Sequence, residues 1–342
     1  SITMNCAELK IKSCIVKSGK KIIKSYPKTN EKKEELQIKL AEKIRGLCTV
    51  DLEFEGILND RLLGFYRSRY EQNGKTKYLA TTQFEAADAR RAFPCWDEPE
   101  AKATFEISII ADNQFTAISN MPVKTKKKTG KTTLYNFQKT PLVSTYLIYL
   151  GVGEFEYLSG KAGKAGKIQI RVVTTKGNTS KGKFSLELGK KLLTSYEKYF
   201  GIKFPLPKLD LIAVPDFAAG AMENWGAITF RETILLYDPK TSSTRTKQFI
   251  AEVISHEIAH MWFGNLVTMK WWNDLWLNES FATFMATKFV DKFYPEWDLW
   301  NQFVEDAMNV AMGLDSLKTT HPIDVKVNSP AEIREIFDAI SY

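Results

Sequence analysis

Up to about residue 155 the chain alternates. Apolar and polar residues exchange over short runs at residues 102–110, 133–138 and 144–150, and Gly, Asn and Pro punctuate them. This part is expected to be β-sheet. Residues 28–43 are dense in charge, with apolar residues at mixed spacing, and select neither period. From about residue 180 the period lengthens. Phe184, Leu186, Leu188, Leu192, Leu193 and Tyr196 predict an amphipathic helix up to Phe200, with Gly201 as its stop. Residues 208–214 and 225–230 read as strands, and residues 244–265, 278–293 and 297–312 as helices. Ser329-Pro330 opens one more helix, with Pro in the first turn and Glu332 three residues after Ser329. That helix is expected still to be running near Tyr342. Because the chain also opens on Ser1, it reads as a fragment. The fold class that follows is α+β, with residues 1–155 as a β domain and residues 156–342 as a mixed domain.

Composition changes this picture little. The 342 residues suffice for two domains, and 44% hydrophobic with 26% charged residues is an ordinary globular balance. No apolar run reaches the roughly 18 residues of a membrane span, so none is expected. The net charge of +8 is concentrated in Lys-rich stretches at residues 124–131 and 161–167, which read as solvated hairpin tips. No nucleic-acid recognition motif accompanies that charge, so no nucleic-acid partner is expected.

Candidate chemistry lies in the histidines. The sequence holds three, and two of them stand in His256-Glu257-Ile258-Ala259-His260. Residues i and i+4 share one helical face, so both imidazoles can meet one zinc ion. Glu257 lies about 100° further round, beside the open position rather than on the metal. A catalytic zinc wants a third protein ligand, and Glu279, in the next helix, is the candidate. Trp271, Trp272 and Trp276 are expected to wedge between the two helices. No fourth ligand presents itself, which argues against a closed structural site. His321, in a Thr-His-Pro turn, reads as structural.

With these residues in view, the sequence resembles the gluzincin zinc aminopeptidases, the family of aminopeptidase N, puromycin-sensitive aminopeptidase and leukotriene hydrolase. Within that family it looks closest to the archaeal tricorn-interacting aminopeptidase factors. The resemblance rests on His256-Glu257-x-x-His260, eighteen residues, then Glu279. It also rests on Gly220-Ala221-Met222-Glu223-Asn224, Thr82-Gln83-Phe84-Glu85, Phe93-Pro94-Cys95-Trp96-Asp97-Glu98-Pro99 and Phe337-Asp338-Ala339-Ile340-Ser341-Tyr342. It implies a saddle-like N-terminal β-sheet domain, then a thermolysin-like α+β catalytic domain. A helical part would follow, absent here, so the β domain would be incomplete at its start and the catalytic domain cut at its end.

The resemblance also implies roles. One Zn2+ per chain, held by His256, His260 and Glu279, would polarise the scissile carbonyl and activate water. Glu257 would be the general base and acid, and Tyr342 the donor to the oxyanion. Glu85 and Glu223 would hold the substrate's free α-amine, with Gln83 touching its first residue. Gly220, whose backbone freedom suits a strained segment, would with Ala221, Met222 and Asn224 form an edge that pairs with the peptide, Met222 lining the first side-chain pocket. Thr283, four residues after Glu279, is a candidate to orient a ligand.

The expected activity is hydrolysis of the N-terminal bond of peptides. The alternatives are epoxide hydrolysis, disfavoured because leukotriene hydrolase has Gln where this chain has Glu85, and a truncated, inactive zinc-binding module. Partners would be peptides with a free amino end, with association to a larger upstream protease as a further expectation. Cys6, Cys14, Cys48 and Cys95 form no Cys-x-x-Cys pair and read as free thiols of a reducing compartment. Asn278-Glu279-Ser280 is a glycosylation triplet that a glycan would turn into a ruined site. Both points favour the cytoplasm.

Overall fold

The structure is a computed structural model that describes residues 1–342, apart from the side chain of residue 331. A β-rich N-terminal part leads into a mixed α/β part. The sheet of the second part carries the site. Strand Phe155–Ala162 pairs antiparallel with Ile168–Thr175. Lys208–Val214 and then Ala227–Arg231 follow in parallel, and the two-residue strand Ala221–Met222 closes the edge antiparallel. Parallel neighbours need a crossover, and helix Lys183–Phe200 supplies the first. It buries Leu188, Leu192, Leu193 and Tyr196 and ends at Gly201 in the left-handed region (φ 68°), a conformation glycine adopts without a Cβ clash. Every residue of Lys208–Val214 is buried, so the apolar run over residues 211–214 is unbroken, and Lys208 and Asp210 are buried as an ion pair.

Two long helices pack against each other beside this sheet. The histidine helix, Thr244–Ala259, is capped by Ser243, whose hydroxyl accepts the Thr246 amide. The glutamate helix is Leu275–Phe293. One apolar cluster runs from Tyr66 to Ile336, so the two parts share a core, and a smaller cluster around Val16, Leu36 and Ile38 serves the first strands.

The N-terminal part contains a four-stranded sheet, ordered Thr116–Ser119, Leu150–Gly153, Lys75–Gln83, Gly64–Gln72, and three three-stranded sheets. Residues 28–43, ambiguous by pattern, form the hairpin Ser25–Asn30 and Glu35–Leu40 around the short turn Glu31–Lys33. Leu36 and Ile38 are fully buried on one face of the central strand, while Pro27 and Lys28 lie on the edge strand. The basic stretches do lie at hairpins: Val123–Thr129 is exposed along its whole length and turns at Gly130.

Several expectations are corrected. Of residues 102–110 only the end is strand, as Ser108–Asp112. Residues 144–150 are not a strand. A 3-10 turn, Thr145–Leu147, is held there by Ser144 donating to the Pro99 carbonyl and Thr145 to Asp97. Its apolar residues are buried on every side, so the run mimics a core strand. The histidine helix stops at Ala259 rather than residue 265, and the glutamate helix begins one turn early, at Leu275. The helix expected over residues 297–312 is broken into Leu299–Gln302, a π-helical turn Phe303–Met308 and Asn309–Asp315.

The last helix is only Pro330–Ile333, followed by the 3-10 turn Arg334–Ile336. The chain is not helical at Tyr342, because Asp338 accepts the Ile340 and Ser341 amides and turns it. The tryptophans do not form the expected wedge. Trp272 packs edge-on against Tyr146 of the N-terminal part, and the Trp271 indole donates to the Val327 carbonyl. No helix among the described residues is long and apolar enough to cross a membrane.

Candidate metal centre

The two motif histidines occupy the last turn of their helix. His260 is its C-cap but keeps right-handed helical angles, and its amide donates to the His256 carbonyl at 3.2 Å. The i, i+4 face therefore survives to the end of the helix. The Nε2 atoms of His256 and His260 lie 2.9 Å apart. Glu279 Oε2 sits 3.0 Å from the first and 3.6 Å from the second.

The far ring nitrogens explain why the near ones point inward. His260 Nδ1 lies 3.0 Å from the Phe263 carbonyl, which can only accept, so Nδ1 carries the proton and Nε2 presents a lone pair. His256 Nδ1 faces Thr283 Oγ1 at 3.2 Å and can donate to it. Gly264 makes this close turn possible. Its φ is 128°, and a Cβ there would lie 3.1 Å from His260 Nδ1.

Two lone pairs and a carboxylate oxygen converging in a buried place fit a divalent cation. All three ligand atoms lie within 4.8 Å of one another. The electrostatics agree. Burial opposes charge on His260, yet Glu223 and Glu279 hold its pKa well above the usual imidazole range. Burial, then His260, lowers His256. Against burial, the two histidines draw Glu279 down to about 2.

Around the three ligands lie the other carboxylates. Glu257 is 5% exposed, and burial pushes its pKa well above the usual carboxylate range. Burial raises Glu223 as well, and burial with Glu223 as neighbour raises Glu85. Among the described residues, eight buried side-chain atoms lack a hydrogen-bond partner. They belong to residues 83, 85, 223, 224, 225, 257, 265 and 278, and six of the eight are oxygens. Orphaned buried acceptors are costly, and a surplus of acceptors suits a ligand rich in donors.

The segment Gly220 to Asn224 lies at the sheet edge. Ala221–Met222 pairs with Ala227–Arg231, and the Arg231 amide donates to the Gly220 carbonyl at 2.9 Å. Gly220 itself is not in the left-handed region. A Cβ there would meet only Ile234 Cδ1 at 3.6 Å, an ordinary contact, so backbone freedom does not explain this glycine. Gln83 is brought to the same place from the N-terminal sheet, with Nε2 3.4 Å from Met222 Sδ. Tyr342 stacks on His256, ring centres 6.0 Å apart at 16°, and is 44% exposed. A cleft of about 320 Å³ opens here, lined by Gly220, Ala221, Glu252, His256, Glu257 and Tyr342 among others.

Sequence reasoning missed several supports. Asn265 Nδ2 donates to the Glu223 carbonyl at 2.7 Å, and Asn120 Nδ2 to the Trp225 carbonyl at 3.0 Å. Ser280 donates to the Ser341 carbonyl at 2.7 Å. Gly264-Asn265 carried a readable signal, a helix stop just after the motif. The others are long-range pairings with no local pattern.

A sheet edge beside a His-Glu-x-x-His helix, with a carboxylate from the next helix, defines a metallopeptidase-type site. The profile of the peptidase M1 N-terminal domain matches residues 1–147, and that of the peptidase family M1 domain matches residues 184–342. The chain belongs to peptidase family M1. It is 46% identical to aminopeptidase M1 of Arabidopsis thaliana over 100% of this chain and 39% of that protein. It is 51% identical to probable aminopeptidase 2 of Sulfurisphaera tokodaii, over 86% of this chain and 37% of that one. Against puromycin-sensitive aminopeptidase of Caenorhabditis elegans the figures are 50%, 86% and 31%. The chain thus spans under two fifths of the length of these relatives.

Proposed function

We propose that the whole protein is a zinc-dependent aminopeptidase that hydrolyses the first bond of peptides with a free amino end, and that the cytoplasm is its compartment. The observation that carries the reading is the convergence of two imidazole nitrogens and the Glu279 carboxylate beside an unpartnered Glu257 oxygen. His256, His260 and Glu279 hold the zinc, which supplies a Lewis acid that polarises a carbonyl and acidifies water. Glu257 takes the proton from the attacking water and gives it to the leaving nitrogen. Its raised pKa, caused first by burial, suits a group that must do both. The Tyr342 hydroxyl donates to the oxygen on which charge develops.

Exopeptidase selectivity comes from Glu85 and Glu223. Each has a buried carboxylate oxygen without a partner, and a cationic α-amine satisfies both through charge-assisted hydrogen bonds. The edge strand Ala221–Met222 offers backbone groups for strand-like pairing, and Met222, held against Gln83, lines the place of the first side chain. The compartment rests on four free cysteines and on the triplet at Asn278, where a glycan beside Glu279 would ruin the site. Glu257→Gln in the full-length protein tests the reading. Bound zinc should stay near one per chain while turnover falls by roughly 10²- to 10⁴-fold, the usual worth of a general base. Wild-type turnover in that variant would end the mechanism.

A further inference from the structure

Tyr342 is presented by a turn, and one residue organises that turn. The Asp338 carbonyl accepts the amides of Ser341 (3.1 Å) and Tyr342 (3.2 Å). Its carboxylate oxygen Oδ1 accepts those of Ile340 (2.9 Å) and Ser341 (3.2 Å). The other oxygen, Oδ2, lies 2.7 Å from Nε2 of His321, seventeen residues earlier. His321 Nδ1 lies 2.9 Å from the Pro322 carbonyl. A carbonyl only accepts and a carboxylate accepts when ionised, so both ring nitrogens carry protons and the ring is an imidazolium. On its other side the turn is tied by Ser280, next to Glu279, donating to the Ser341 carbonyl.

We propose that His321 and Asp338 form an ionic latch that positions Tyr342 over His256, which makes them positioning residues for hydrolysis. The proposal rests on the aminopeptidase reading for its kinetic consequence, while the latch itself is a property of the turn. By local pattern His321 reads only as structural, because nothing in a Thr-His-Pro turn shows which distant carboxylate it meets. The charged groups facing His321 are Asp338 and, from the end of helix Asn309–Asp315, Asp315. The Pro322 carbonyl and the bond to Asp338 raise its pKa above the ordinary imidazole value. The latch is therefore fully made below about pH 6.5 and is lost as pH rises through the raised value. A hydroxyl that must meet a developing charge is sensitive to such loosening, since misplacement by about 1 Å can cost ~10²-fold.

The test uses full-length, zinc-loaded protein and two readouts: kcat and KM from about pH 6 to 9, spanning the imidazole titration, and amide hydrogen exchange over residues 338–342. His321→Ala should lower kcat by roughly 10- to 100-fold with KM changed less than about 2-fold, and Ile340 and Ser341 should exchange faster. Asp338→Asn keeps an oxygen for those two amides but loses the ionic tie, so it folds and shows the kinetic loss in milder form. His321→Lys keeps a cationic donor, so it should recover turnover and remove the fall on the alkaline side. Wild-type kcat and exchange in His321→Ala would overturn the latch, as would lost kcat with unchanged exchange. Should the wild-type protein cleave no peptide, the aminopeptidase reading fails, and accelerated exchange in His321→Ala alone upholds the latch.

Discussion

Thr283 Oγ1 stands 3.2 Å from Nδ1 of His256, one helical turn beyond Glu279 on the same helix. The hydroxyl can accept the Nδ1 proton and holds the ring angle of a residue on the neighbouring helix, so the two helices set one site together. Thr283→Val keeps the shape and removes the acceptor. Zinc affinity, measured by competition with a chelator, should fall by about 10- to 100-fold, the usual effect of losing such a partner. An unchanged affinity would show that packing alone orients the ring.

The two carboxylates proposed to hold the substrate's amine make a different prediction. Glu85→Gln or Glu223→Ala removes one charge-assisted acceptor, worth about 1.5–3 kcal/mol. The kcat/KM for peptides with a free amino end should drop by roughly 10- to 100-fold, while the slow cleavage of N-acetylated peptides stays as it was. Equal losses on both substrates would mean that these carboxylates serve the metal and not the amine.

The histidine pair was legible because its chemistry is local: two histidines in one helical turn leave a periodic mark. A lone carboxylate leaves none, and Gln83, Glu85, Glu223 and Tyr342 entered only through the resemblance. Helix Lys183–Phe200 was legible through a sustained apolar pattern, and strand Lys208–Val214 through its apolar residues 211–214. Residues 144–150 were misread because full burial erases the difference between a strand and a compact turn. The end of the histidine helix was misread because apolar residues continue through Met261, Trp262 and Phe263, while Gly264 bends the chain back onto His260. Tyr342 was expected on a helix, but a single carboxylate, Asp338, outcompetes the helix by capping two amides. Interactions between residues far apart in sequence leave no period to read.

Metal removal has a pH dependence whose sign follows from His260. Burial disfavours its charge, but Glu223, Glu279 and Glu257 outweigh that and raise its pKa well above the imidazole range. In metal-free protein the proton on His260 therefore contributes stability below about pH 6.5, and that contribution is lost as pH rises through the raised value. A zinc ion held by the proposed ligands would replace the proton and bind more tightly as protons grow scarce. The loss in Tm on chelation, followed by calorimetry, should be small near pH 6.5 and larger near pH 9, across the titration of a raised imidazole. A loss independent of pH would mean that His260 does not exchange a proton for the metal.

Lys208 joins the two parts of the molecule beneath the site. It is 2% exposed, and its Nζ donates to the Ser119 carbonyl (2.6 Å), the Gly226 carbonyl (2.7 Å) and Asp210 Oδ2 (2.8 Å). Three protons meet three oxygens, one from the N-terminal sheet and one from the turn that follows Glu223. Asp210 is also gripped by Arg171 through two bonds of 2.6 Å. Lys208→Met takes the side-chain donor from the Ser119 carbonyl, from the Gly226 carbonyl, which keeps the Asp210 amide at 3.0 Å, and from Asp210, which keeps Arg171, and breaking such a buried pair costs about 3–5 kcal/mol. Urea unfolding should show a loss of that size. A single variant within about 1 kcal/mol of wild type, the scale of an exposed pair, would mean that water reaches Asp210 and that the turn carrying Glu223 is held by Asn120 and Asn265 alone.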